Sequence, residues 1–170
     1  MTPTAFLDSL GMFEYGGGGY HCVHITDEDM DIFKKHDMTI VTNPGSNVKL
    51  ASGIPRLNRM LEKGVRLAIG TDGPASNNCL DMFREMFLVT GLTKLRENDA
   101  SAMPAEEVLK MACVGGAYAM GLTDCDCIRK GKLADLVLID LHQPNMQPVN
   151  KYRKKIWFYS GQQAECKGWL

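Results

Sequence analysis

The amino-acid sequence predicts an α/β protein that is built around a parallel β-sheet. Three short segments rich in apolar and β-branched residues are predicted to form strands, over residues 20–25, 38–44 and 65–72. Helical patterns lie between them, and strand and helix alternate about every 25 to 30 residues, which is typical of βαβ units. In parallel sheets with helical connections, the residues that carry chemistry lie at the carboxyl ends of the strands. We therefore expect the functional residues among those that follow the three strands.

The first part of the chain supplies the first βα unit. A short helix is predicted over residues 4–14, and the glycine run 16–19 is predicted to be a flexible or tightly turned link. After the first strand, Thr26 with Asp29 three residues later is an N-cap signal for a helix that continues to about His36.

The next segments complete the sheet. The second strand stops at Pro44, and residues 45–53 are predicted to form a loop. The helix predicted over 54–64 has apolar residues at spacings of three and four, and Gly64 is its expected C-terminal cap. The third strand leads into the polar segment that contains Asp72.

The second half of the chain begins with helices and ends with strands. Helices are predicted over 80–98 and 104–121, and the glycine pair 115–116 indicates close packing of the second helix against a neighbour. Strands are then predicted over 133–141 and 154–161.

Composition excludes several classes of function. The net charge of −1 gives no basic excess for nucleic acid, and no apolar run approaches the roughly 18 residues of a membrane helix. The first 15 residues lack the pattern of a secretory signal. Six cysteines without such a signal are expected to be reduced thiols, so we expect a cytoplasmic protein that binds neither nucleic acid nor membrane.

Asp72 is the first candidate for chemistry, because it follows a predicted strand and lies between two glycines, Gly70 and Gly73. A carboxylate in that place can bind a metal, act as a base, or cap a turn or helix, and Asp-Gly is a common turn pair. The spacing alone leaves these alternatives open.

Two histidines follow the same reasoning. His21 and His24 are three residues apart, and on the predicted strand they would point to opposite faces, which argues against a shared metal ion. A core or surface role for each remains the alternative.

Four linked motifs identify a family resemblance. They are HCVHITDEDM (21–30), TNPGSNVKLASGI (42–54), GTDGPASNNCLDMFREM (70–86) and GKLADLVLIDL (131–141). Together, in this order, they resemble the amidohydrolase superfamily, most closely its 5-methylthioadenosine/S-adenosylhomocysteine deaminases and their chlorohydrolase-like relatives.

The resemblance implies a fold and an activity. It predicts the C-terminal part of a (β/α)8 TIM-type barrel over residues 1–122 and part of a small β-sandwich over residues 123–170. The family reaction is metal-dependent hydrolytic deamination of an adenine nucleoside, of the S-adenosylhomocysteine, 5-methylthioadenosine or adenosine type.

The resemblance also implies roles for single residues. Asp72 matches the aspartate after the eighth strand, which ligates zinc or iron and accepts a proton from the attacking water. His21 matches the histidine after the sixth strand, which holds the metal-bound hydroxide and stabilises the transition state. Ser76 and Asn77 match the loop near the substrate.

The chain also departs from the family pattern. It contains no H-x-H and no H-x-x-E, the motifs that supply the other metal ligands and an acid/base glutamate, and Thr42-Asn43-Pro44 replaces a frequent H-N-P. A complete barrel takes about 250 residues. We therefore expect the chain to be inactive alone and to cover its open strand edges by self-association or with a complementing N-terminal half. A half of a split enzyme and a non-catalytic interaction module are the alternatives.

Overall fold

The three predicted strands form one parallel sheet in a computed structural model of the chain, which describes residues 1–140 and 142–144 and the backbone of 166–169. Strands β1 (Gly18–Tyr20), β2 (Thr39–Thr42) and β3 (Arg66–Ile69) lie side by side in the order β1-β2-β3. Because the strands are parallel and sequential, their carboxyl ends meet at one edge of the sheet.

Helices connect and cover these strands. They are α1 (Pro3–Ser9), α2 (Asp27–Lys35), α3 (Pro44–Lys49), α4 (Leu57–Glu62), α5 (Pro74–Asn77), α6 (Met82–Glu97), α7 (Ala105–Lys110) and α8 (Gly116–Ala119), with a π-helical turn at Met111–Gly115 between the last two. In the described part of the chain, none of them is both long enough and apolar enough to cross a membrane.

Helix α2 shows how local sequence fixes an element. The Thr26 hydroxyl accepts a hydrogen bond from the backbone N–H of Asp29, and the Asp29 carboxylate accepts one from the N–H of Thr26. This reciprocal pair confirms the predicted start of the helix. Met30 and Phe33, three residues apart, then face the core.

The core lies between the sheet and the helices. Its fully or nearly fully buried side chains include Met30, Ile40, Leu57, Met60, Leu67, Val89, Val108 and Met111. The close packing predicted for the glycine pair is confirmed at Gly115, where a Cβ atom would lie 1.9 Å from the backbone oxygen of Leu67. A side chain there would separate the helix from strand β3.

The first strand lies earlier than predicted. The sequence predicted it over 20–25 and a link over 16–19, whereas the strand is Gly18–Tyr20 and the chain then turns. A Cβ on Gly18 would lie 2.8 Å from the backbone oxygen of Thr39, so the close pairing with β2 requires glycine. His21 and Cys22, which follow, have φ angles of 63° and 48°, which end the strand.

The loop predicted over 45–53 is also wrong in its first half, which forms helix α3. Pro44 occupies the first turn, where its missing N–H costs nothing. The backbone N–H of Gly45 donates to the buried carboxylate of Glu85, 2.7 Å away. This long-range contact explains why local sequence did not predict the helix.

The C-terminal part contains a small antiparallel pair, β4 (Val137–Ile139) and β5 (Cys166–Trp169). Strand β4 is shorter than the predicted 133–141, and β5 was not predicted. The strand predicted over 154–161 lies outside the described residues. The division into a barrel part, 1–122, and a sandwich part, 123–170, stays a prediction.

Candidate active site

A cleft of about 470 Å³ opens at the carboxyl edge of the parallel sheet. The residues that line it are His21, Val23, His24, Ser46, Leu50, Ser52 and Asp72. Two of these were predicted from the sequence as site residues, and they follow two different strands, β1 and β3. The edge at which functional residues were expected is therefore the one that carries the cleft.

His21 follows β1 directly and is held at two points. Its backbone N–H donates to the oxygen of Val41 at 2.9 Å, which extends the pairing with β2 by one residue. Its ring nitrogen Nδ1 lies 2.7 Å from Oδ1 of Asn47. The other ring nitrogen, Nε2, is left to face Asp72, and 37% of the side chain is exposed.

Asp72 lies three residues after the end of β3. Its Oδ2 atom accepts a hydrogen bond from the hydroxyl of Ser76 at 2.8 Å. The hydroxyls of Ser46 and Ser76 and the backbone N–H of Gly73 lower the pKa of Asp72 below its usual value. The carboxylate is therefore charged at neutral pH.

The structure brings His21 and Asp72 together across the cleft. Nε2 of His21 lies 3.7 Å from Oδ2 of Asp72. Both residues adopt left-handed backbone conformations, with φ angles of 63° and 58°. Six other described non-glycine residues, among them Asp37, Ala51 and Met103, share this conformation, so the backbone angles alone do not distinguish the two positions.

Ser76 and Asn77, predicted to lie near the substrate, have different surroundings. The Ser76 hydroxyl is within hydrogen-bond distance of the Asp72 carboxylate and the oxygen of Gly73. Asn77 is 4% exposed, and its amide nitrogen donates to the oxygen of Thr71. In the described part of the chain Asn77 is not among the cleft-lining residues, and its contact with a substrate stays a prediction.

Glu85 is a site residue that sequence reasoning missed. It is fully buried, and its two carboxylate oxygens accept from the N–H of Gly45 at 2.7 Å and from the amide of Asn77 at 2.8 Å. Burial raises the pKa of Glu85. Glu85 lies three residues after Met82 and four before Val89, so it falls on the apolar face of the predicted helix. A carboxylate on that face is unusual, and this was the sequence signal that could have identified Glu85.

Ser46 and Asn47 were also missed, since their segment was predicted to be a loop. Ser46 is fully buried beside Asp72, and Asn47 is 2% exposed beside His21. Both lie in the first turn of α3. Only their place in one of the resembling motifs, at 42–54, distinguished them in the sequence.

The two neighbouring histidines require a correction. His21 and His24 were placed on opposite faces of a strand, but residues 21–24 turn away after β1 and both histidines line the cleft. The intervening Cys22 is no thiolate at neutral pH, because burial raises the pKa of its thiol to about 11.

The side chains of the cleft fit part of a metal site. Carboxylate and imidazole are ligands that zinc takes in proteins, usually three of them at a catalytic site. Asp72 offers a carboxylate to the cleft, and the imidazole of His21 lies beside it. Among the described residues, no group of three or more His, Cys, Asp or Glu side chains is arranged to hold a metal ion.

A parallel sheet with helical connections and polar side chains at the carboxyl ends of its strands is the arrangement of an α/β barrel at its functional edge. The family model of the Amidohydrolase family matches residues 1–168. The chain belongs to this family, and the predicted fold class, part of a (β/α)8 barrel, is confirmed.

Individual relatives carry more specific names. A 5-methylthioadenosine/S-adenosylhomocysteine deaminase of Caldanaerobacter subterraneus is 47% identical over 88% of this chain and 35% of its own length. A 5′-deoxyadenosine deaminase of Methanothermobacter thermautotrophicus is 42% identical over 87% of this chain and 34% of its own length. The chain thus spans about a third of the length of these relatives.

One solved structure shows the same fold with a metal. The crystal structure of an adenosine deaminase from Xanthomonas campestris with bound zinc superposes with a TM-score of 0.89 at 37% identity. The match covers 96% of this chain and 38% of that one. The resemblance inferred from the four motifs is therefore confirmed.

Proposed function

We propose that the chain carries the aspartate and histidine part of the active site of a zinc- or iron-dependent deaminase. The substrate class is an adenine nucleoside of the S-adenosylhomocysteine, 5-methylthioadenosine or adenosine type, and the setting is the cytoplasm. The observation that carries the proposal is the 3.7 Å approach of His21 to Asp72 in an open cleft. The names of the relatives supply the substrate class.

Each residue has a role in this proposal. Water adds to the ring carbon that bears the amino group, and ammonia leaves. A metal bound in the cleft would lower the pKa of its water to about 7. Asp72 would hold the metal, take a proton from the attacking water and pass it to the leaving amine. Its lowered pKa keeps the carboxylate charged at neutral pH, which is the form that binds a metal cation.

His21 and Ser76 support this chemistry. Nε2 of His21 faces the cleft opposite Asp72, where it can accept a hydrogen bond from the attacking water and orient it. Ser76 donates to Oδ2 of Asp72 and so fixes the orientation of the carboxylate. Ser76 and Asn77 belong to the loop that we propose borders the substrate.

The remaining ligands must come from elsewhere. The sequence has no H-x-H and no H-x-x-E, and a catalytic zinc takes three protein ligands. We therefore propose that these 170 residues are inactive by themselves. Activity would need a segment that carries those motifs, as in a split enzyme.

The same segment would cover the sheet. In the described sheet β1 and β3 are the outer strands, each paired on one side only. Unpaired parallel edges favour association. Self-association is the other way to cover them. The alternative is a non-catalytic interaction module, which would also lack H-x-H and H-x-x-E. A folded dimer that binds neither zinc nor nucleoside would support this alternative.

Co-expression tests the proposal. The chain would be produced with the unmatched part of the Caldanaerobacter relative, and ammonia release from 5-methylthioadenosine, S-adenosylhomocysteine and adenosine would be measured with added zinc. We expect activity for the pair and none for the chain alone or for the pair with Asp72→Asn. Equal activity of the Asp72→Asn pair would contradict the proposal.

A further inference from the structure

The first turn of helix α3 contacts three separate parts of the site with three successive residues. Gly45 donates its N–H to Glu85 at 2.7 Å, Ser46 lines the cleft together with Asp72, and Asn47 lies 2.7 Å from His21. All three are buried. This turn, which follows β2, therefore contacts residues that follow both neighbouring strands.

Asn47 is the member of this turn that faces the imidazole. Its side chain is 2% exposed and does not line the cleft within the described part of the chain. Its backbone N–H donates to the oxygen of Asn43 at 3.0 Å, which fixes it in the helical turn. The amide group therefore has little freedom to move away from the histidine.

We propose that Asn47 is a positioning residue that sets the tautomer of His21. Its side-chain oxygen accepts a hydrogen bond from Nδ1–H, so the neutral imidazole keeps Nε2 without a proton and turns it toward Asp72. The effect of this tautomer on catalysis rests on the proposed deaminase function. The tautomer itself can be tested without that function.

The geometry opposite Asn47 agrees with this assignment. The distance of 3.7 Å between Nε2 of His21 and Oδ2 of Asp72 exceeds the 2.7–3.2 Å of an N–H···O hydrogen bond. The two atoms therefore share no direct hydrogen bond. With Nδ1 protonated, both are acceptors that face one space, and both can bind the hydrogens of a water molecule between them.

Glu85 keeps the turn that carries Asn47 in place. A Cβ at position 45 would lie 2.5 Å from Oε1 of Glu85 and 2.9 Å from the amide nitrogen of Asn77. The backbone at Gly45 thus approaches these side chains more closely than any other residue would permit. The position of Asn47 is fixed by buried contacts on the side away from the cleft.

Long-range proton–nitrogen NMR of the His21 ring tests the proposal in the chain itself, without metal or substrate. At about pH 8.5 histidine side chains are mostly neutral, and nitrogen shifts distinguish the two tautomers. We expect the Nδ1–H form for His21. A short histidine-containing peptide in the same buffer provides the reference ring, because Nδ1 of the exposed His142 lies 3.3 Å from the Asp140 carboxylate.

Two variants separate positioning from folding. Asn47→Asp keeps an acceptor at the same place, and we expect it to keep the Nδ1–H form. Asn47→Leu removes the acceptor, and we expect a shift toward the Nε2–H form that free histidine prefers. An Nε2–H ring in the unmodified chain, with Asn47 donating through its amide, would overturn the proposal, as would an unchanged tautomer in a folded Asn47→Leu chain.

The catalytic consequence has its own readout in the co-expressed pair. We expect Asn47→Leu to lower kcat by about 10- to 100-fold with KM little changed, and Asn47→Asp to recover much of the loss. A pair that is inactive although His21 has the expected tautomer would refute the deaminase function alone. An active pair with the Nε2–H tautomer would refute the role of Asn47 alone.

Discussion

The two edges of the parallel sheet hold their polar groups in different ways. At the carboxyl edge, His21 and Asp72 are open to the cleft, and their neighbours Asn47 and Ser46 are buried. At the amino edge, Arg66 donates to the carboxylate of Asp37 at 2.8 Å. The Asp37 side chain is 78% exposed.

The polar side chains are held by buried contacts at the carboxyl edge and by exposed contacts at the amino edge. At the amino edge Arg66 also lies over the ring of Tyr118, 4.4 Å from its centre, so the charged groups satisfy one another at the surface. At the carboxyl edge Glu85 contacts neither the cleft nor solvent, and its buried contacts hold the segments that carry the exposed residues. Breaking contacts at the carboxyl edge should therefore cost more stability than at the amino edge.

The largest effect is expected from Glu85→Ala. The change leaves the buried N–H of Gly45 without its acceptor and removes one partner of Asn77, and it opens a cavity. We expect the free energy of unfolding to fall by about 3 kcal/mol in urea titrations. Glu62→Ala, at an exposed glutamate of α4, is the matched control and should change little. If the two variants lost the same free energy of unfolding, the buried contacts of Glu85 would contribute no more to stability than the exposed contact of Glu62.

A smaller loss is expected from Gly45→Ala. The added methyl group would meet the Glu85 carboxylate at 2.5 Å and push the first turn of α3 outward. We expect a loss of about 2 kcal/mol in the same titration. Gly91→Ala in α6 has nothing within 4 Å and should gain about 0.5–1 kcal/mol from helix propensity. A stable Gly45→Ala chain would mean that the turn is not tightly held.

The carboxyl edge should also give stability a particular pH dependence. Burial raises the pKa of Glu85 above its ordinary value of 4.5, so folding favours the protonated form. The contribution of Glu85 to stability is full below pH 4.5 and falls as pH rises through the raised pKa. The unfolding free energy of the wild type minus that of Glu85→Gln should therefore be larger at pH 4.5 than at neutral pH. A difference that grows with pH has the wrong sign for this account.

The smallest effect is expected at the amino edge. Arg66→Ala removes the contacts with Asp37 and Tyr118, which are partly exposed. A cation–π contact of this kind contributes about 0.5–1 kcal/mol, and the loss of unfolding free energy should be of that size. The tautomer of His21 should not change in this variant. A loss as large as that of Glu85→Ala would remove the contrast between the edges.

Sequence patterns predicted the features that have a signal within a few neighbouring residues. The N-cap at Thr26, signalled by Asp29 three residues later, and the close packing at Gly115, signalled by the glycine pair, are confirmed. The meeting of His21 and Asp72 was expected in outline, since the carboxyl ends of parallel strands share one edge.

The remaining features depend on contacts between distant residues. Gly45 and Glu85 are 40 residues apart, and His21 and Asn47 are 26 apart, so no local pattern signalled helix α3 or its role. The start of β1 was displaced because glycines, which are poor strand formers, are needed for the close approach to β2. Because the chain turns after β1, His24 lines the cleft together with His21, whereas the predicted strand placed the two histidines on opposite faces.

The zinc content of the purified chain tests the central claim most directly. It would be measured after incubation with zinc and dialysis, for the chain alone, for the co-expressed pair and for the pair with Asp72→Asn. We expect well below one zinc per chain alone, close to one in the pair and a clear loss with Asp72→Asn, because the chain supplies only some of the three ligands that zinc takes. One tightly held zinc per chain alone, or full zinc retention after Asp72→Asn, would contradict the assignment of Asp72 as one ligand of a site completed from outside these residues.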